Sequence, residues 1–161
     1  MKYRCQIAWI IFILCVTTAN VMAQTGLPLP RFVSLKSDKV NLRYGPGDRY
    51  PIQWELVYRN MPVEIVDEFK NWRKVREWLG SVGWVHKSLL SGQRWVIIKE
   101  GLQTLRRSDK LEAPKIAKIQ KKVIGRLKKC TKSWCKIDFS GQTGWMQHSQ
   151  IWGVYPGEIF K

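Results

Sequence analysis

His86 and His148 are the two histidines of this 161-residue chain, and their settings limit the chemistry it can do. A cysteine or serine nucleophile needs an imidazole close in space. Each histidine follows a Gly-Trp pair, in Gly83-Trp84-Val85-His86 and Gly144-Trp145-Met146-Gln147-His148, so the two fall at similar turns of separate units. An isolated histidine at a turn is more often a surface residue than a base. Zinc asks for three or four His, Cys or carboxylate ligands at compatible spacing, and no such set occurs. Glu64, Asp67, Glu68 and Glu77 are carboxylates of the type that work in pairs in glycoside hydrolysis, but on alternating strands they are expected to decorate the outer face. There is no glycine-rich phosphate loop. The expectation is no enzyme, no catalytic residue, no metal and no cofactor.

Aromatic residues are what the chain has in excess, with nine tryptophans. Trp84 and Trp145 sit in the two Gly-Trp pairs and read as core or hairpin-packing residues. Trp54 and Trp78 have no such counterpart, and Tyr44, Tyr50 and Tyr58 are close in sequence. Aromatics of this kind, beside the loop Tyr44-Gly45-Pro46-Gly47-Asp48, are candidates for an exposed patch able to lie against sugar rings, flat peptide groups or proline.

The first 23 residues have the form of a secretory leader: basic Lys2 and Arg4, an apolar run over 8–16, and Val21-Met22-Ala23 before a cut ahead of Gln24. The alternative, a membrane anchor, requires about 20 apolar residues, more than this run supplies. Cys15 follows Leu14 rather than the small residue of a lipoprotein signal. The mature chain is therefore expected to be periplasmic or secreted. Cleavage leaves 26 basic and 12 acidic residues, a net charge of +14. A field of this sign draws in polyanions and anionic surfaces; the alternative is simple solubilisation. Cys5 and Cys15 leave with the leader, so Cys130 and Cys135 remain. They flank a turn and face each other across a hairpin in an oxidising compartment, which favours a disulfide over a metal pair or a reactive dithiol.

The elements that position these residues come as a repeat. Asn71-Trp72-Arg73-Lys74-Val75 leads through Gly80 to Gly83-Trp84-Val85; Ser133-Trp134-Cys135-Lys136-Ile137 leads through Gly141 to Gly144-Trp145-Met146. Each is an alternating run, a glycine turn and a return, the pattern of a β-hairpin. Upstream, Val40-Asn41-Leu42-Arg43 precedes the first copy about as far as Gln103-Thr104-Leu105-Arg106 precedes the second. Two copies of one small β module follow.

Val-Asn-Leu-Arg followed by Tyr-Gly-Pro-Gly resembles the opening motif of bacterial SH3-like domains, and the strand over 61–66, the Gly83-Trp84-Val85 hairpin and the turn over 87–90 agree with it. In that family a final strand follows, matched by Trp95-Val96-Ile97-Ile98. The second copy keeps Leu105-Arg106 and Gly144-Trp145 but has Ser108-Asp109-Lys110 in place of Gly-Pro-Gly. The resemblance implies an all-β fold of two tandem small SH3-like β-barrels after a cleaved signal peptide: leader 1–23, flexible segment 24–31, first domain 32–98, second domain 99–161. It also implies a non-catalytic binding module for cell-envelope ligands, peptidoglycan or its stem peptides, or another anionic envelope component. The alternative is docking onto an envelope protein. The ligand site is expected around Arg43, Tyr44, Asp48, Tyr50, Trp54 and Trp78. Nucleic acid is raised by charge alone, through Lys115, Lys118, Lys121, Lys122, Lys128, Lys129 and Lys132, and the leader argues against it.

Overall fold

Period-two burial carries the fold. In β2 (Val40–Arg43) the side chains of Val40 and Leu42 go inward while Asn41 and Arg43 face out. The computed structural model describes residues 25–161, so the leader and its cleavage point lie outside the described residues. The described chain is all-β. Its first seven strands are β1 (Arg31–Leu35), β2, β3 (Ile52–Leu56), β4 (Pro62–Phe69), β5 (Trp72–Arg76), β6 (Val82–His86) and β7 (Leu90–Ser91). The next seven are β8 (Trp95–Ile98), β9 (Leu102–Arg106), β10 (Lys115–Gln120), β11 (Ile124–Cys130), β12 (Trp134–Phe139), β13 (Gln142–Gln147) and β14 (Ile151–Trp152).

The two sets build two sheets of the same design. One runs β3-β2-β6-β5-β4-β1-β7 and the other β10-β9-β13-β12-β11-β8-β14, so every strand has its counterpart seven places later. Each unit encloses its own apolar interior. Leu35, Leu42, Val63, Val75 and Val85 lie in the first; Val96, Ile98, Leu105, Ile137 and Met146 lie in the second. Short 3-10 turns, Lys87–Leu89 and His148–Gln150, follow the Gly-Trp strands at equivalent places.

One strand differs from expectation. Trp95–Ile98, expected to close the first module, opens the second: Val96 pairs with Gly125, Ile97 with Ile124, and Ile98 with Ile151. The first module is closed by β7, where Leu90 pairs with Leu35 and Ser91 with Ser34. Alternation shows which face of a strand is buried, not which sheet receives it. Val96 and Ile98 fill the second interior, so the boundary lies at 92–94 rather than after Ile98.

The units are docked. Ring contacts join Phe32 to Trp152 (centroids 4.9 Å, edge-on) and to Tyr155 (4.7 Å). Tyr155 donates its hydroxyl to Glu64 Oε1 at 2.9 Å across the boundary, and Ile124 packs against the first interior.

Candidate functional site

The six residues expected at the site divide into two groups. Arg43 leaves β2 at the start of its loop, where Nη1 donates to the Tyr50 carbonyl at 2.8 Å and Nη2 lies 3.7 Å from the Asp48 carboxylate. The Tyr50 ring lies on Gly45, where a Cβ would stand 2.4 Å from Cδ1. A glycine is required there because the aromatic ring occupies the space of a side chain. Arg43, Asp48 and Tyr50 thus build the loop, and Tyr44 projects from it 66% exposed. A shallow polar cleft of about 200 Å³ beside Arg43 and Asp48 includes Trp72 and His86.

Trp54 and Trp78 meet in a different place. They line a groove of about 290 Å³ with Leu56, Tyr58, Met61 and Leu79. β3 is an edge strand and presents Trp54 at 57% exposure, with Tyr58 just beyond it at 56%. Trp78 packs against the first interior and sits on the β5–β6 turn. Glu77 fixes that turn, its carboxylate accepting from the Leu79 N–H at 2.8 Å and the Ser81 N–H at 2.9 Å. Ile97 and Lys122 of the second module complete the lining. Sequence reading missed Leu79, Ile97 and Lys122. A large apolar residue in the glycine turn beside Trp78 was the available signal for Leu79; none existed for the two that arrive from the other module.

Three acids expected on the outer face are buried instead: Glu64, Glu68 and Glu77. Glu64 pairs with Arg76, whose Nε donates at 2.8 Å, and accepts from Tyr155. Glu68 pairs with Arg73 at 3.2 Å and with Arg31, and accepts from the Thr25 N–H. Buried carboxylates persist where cations and donors satisfy them. Burial alone would raise the Glu68 pKa, but hydrogen bonds from Arg31 and Thr25 outweigh it and hold the group below its ordinary value. Tyr155 moves the other way: burial, then the hydrogen bond to Glu64, push its hydroxyl well above the usual tyrosine range.

His86 Nδ1 lies 2.8 Å from Ser88 Oγ and the ring is edge-on to Trp72. Among the described residues one His/Cys group has ligand-like spacing, Cys130, Cys135 and His148, within 4.8 Å of one another. Its two sulfurs are joined to each other: Cys130 and Cys135 are directly opposed across β11–β12 and form the expected disulfide, which removes them as thiolate ligands. Trp84 and Trp145 pack on the outer sides of their hairpins, half-buried, opposite Arg43 and Arg106.

The chain matches none of the curated proteins at a significant level. Among solved structures it is similar to NlpC2 of Trichomonas vaginalis, with 12% identity, a TM-score of 0.35, and coverage of 76% of this chain and 48% of that one. NlpC1 of the same organism compares at 12% identity and a TM-score of 0.36, covering 76% and 45%. The chain spans about half the length of these two proteins. The profile of the family described as the bacterial SH3 domain matches twice, at residues 36–92 and 99–153. Those segments fall on the two repeated sheets, and the chain belongs to the bacterial SH3 domain family, carrying two copies of the domain in tandem.

Proposed function

We propose that this chain is a non-catalytic extracytoplasmic module that binds a cell-envelope ligand, peptidoglycan or its stem peptides, in the Trp54–Tyr58–Trp78 groove. The observation that carries this is the pair of large aromatic faces, Trp54 and Tyr58, left more than half exposed around a concave, mainly apolar lining. Rings held in this way stack on the apolar faces of sugars and on peptide planes, and Lys122 at the rim supplies a cation for a stem-peptide carboxylate. Family membership supports the class of ligand.

The test is retention of the mature chain on purified peptidoglycan sacculi at low and at about 0.15 M salt. Truncating a central aromatic anchor costs about 2 kcal/mol, so Trp54→Ala or Tyr58→Ala is expected to lower affinity by about tenfold or more at the higher salt. Binding lost at that salt in the parent and unchanged by either variant would reject the groove.

A second reading rests on β3. Its outer edge is unpaired in the sheet order, and edges of this kind accept a strand from a partner protein. Capture of an envelope protein that needs β3 but no wall material would favour it.

A further inference from the structure

The outer face of the second module carries a feature that the groove does not use. Following side-chain pairing across its sheet, Lys129 on β11 stands opposite Lys136 on β12. Lys136 stands opposite Trp145 on β13, Trp145 opposite Arg106 on β9, and Arg106 opposite Lys115 on β10. Directly opposed residues share a face of the sheet, so the five form one row, Lys-Lys-Trp-Arg-Lys. At one strand spacing per step the row is about 19 Å long.

The same row in the first module reads Asp67, Lys74, Trp84, Arg43 and Ile52. The fold therefore keeps the central Lys-Trp-Arg, and the second copy alone has cations at both ends. Two pairs of like charges, Lys129 with Lys136 and Arg106 with Lys115, are thereby set face to face, an arrangement that weakens a sheet. Among the described residues no acid is paired with any of the four cations. Asp138 is the single acid in the five strands, and it is taken by Lys128 at 3.5 Å. Arg43 has Asp48 nearby, whereas Arg106 donates to the Ala113 carbonyl at 3.1 Å and has no acidic partner among the described residues.

We infer that this row is a binding stripe for an extended phosphate polymer. A row of closely spaced cations matches a chain with a charge on every repeat, which is denser than the carboxylates of an acidic glycan. Lysine and arginine both serve phosphate oxygens. Arg126 and Lys118 flank the row on the same face, and its tryptophan is half-buried rather than projecting as a membrane-interface anchor, so the face suits a polymer.

The experiment uses the mature chain and long-chain inorganic polyphosphate, with affinity measured across a salt series. Four neutralised charges give a log–log slope of about −3 on the counterion-release relation for flexible strands. Lys136→Ala is expected to reduce that slope by about one. Lys129→Asp, which restores the first module's charge at that place, is expected to weaken binding by about tenfold or more while leaving the melting temperature equal or higher, because the opposed like charges are gone. Trp54→Ala should leave polyphosphate binding unchanged, so a failed stripe and a failed groove are distinguishable. The inference is overturned if Lys87→Ala on the first module weakens binding as much, if triphosphate binds as tightly as the long chain, or if anionic phospholipid vesicles bind through the same residues and the polymer does not.

Discussion

Glu158 shows what a single carboxylate does at the boundary between the modules. It accepts from Arg94 at 2.7 and 3.1 Å and from the Tyr155 N–H at 2.9 Å. Burial opposes its ionisation, but those bonds prevail and its pKa lies below the ordinary 4.5. A carboxylate depressed on folding contributes stability that is present above the unfolded value and lost as pH falls through the folded one. Glu158→Gln is therefore expected to lower stability at pH 7 by about 1–2 kcal/mol. Its melting curve and the parent's should converge in acid below about pH 4.5, as followed by circular dichroism. A difference that persists undiminished into acid would place the effect in packing instead. Residues of this class were the least legible from sequence. Glu64 and Tyr155 are 91 positions apart and Glu68 and Arg31 are 37 apart, so nothing local marks those acids as buried.

At the scale of elements, the hairpins were legible because their glycines answer to local geometry. A Cβ at Gly83 would meet Leu42 Cγ at 2.5 Å and the Arg43 carbonyl at 2.9 Å; at Gly144 the equivalents are Leu105 Cγ at 2.6 Å and the Arg106 carbonyl at 2.7 Å. The Gly-Trp pair therefore lets β6 and β13 approach the strands that carry the paired arginines, and Val-Asn-Leu-Arg and Gly-Trp-Val read as two halves of one contact. Gly83→Ala is expected to destabilise by about 2–3 kcal/mol through overpacking. Gly92→Ala, where nothing lies within 4 Å, should stay within about 0.5 kcal/mol. Chemical denaturation of both variants checks the contrast, and equal effects would refute it. The groove was half legible for the same reason. Trp54 and Trp78 stand out because they break the repeat, while Ile97 reaches them only through docking of the second module.

At the scale of the whole molecule, the number of modules and their repeated motifs were legible, but the seam between them was not. The continuous apolar run Trp95-Val96-Ile97-Ile98 fits the last place of one unit as well as the first place of the next. The tertiary contacts that decide it are distant in sequence: Val96 against Gly125, Ile98 against Ile151, and Phe32 against Trp152 and Tyr155. The folding chain meets the same ambiguity. β1 and β8 hold the same slot in two identical strand orders, so a refolding polypeptide can seat the wrong one beside β4 or β11, the misassembly to which tandem copies are prone. Side chains at the slot discriminate, since Ser34 donates to the Gln93 carbonyl at 2.9 Å where the second copy has Ile97. Ser34→Ile erases that difference. It is expected to enlarge a trapped population in stopped-flow refolding whose amplitude does not change with protein concentration, and an unchanged amplitude would show that the slot is policed elsewhere. Divergence between the copies then serves as proofreading, keeping two neighbours of one strand order from exchanging parts.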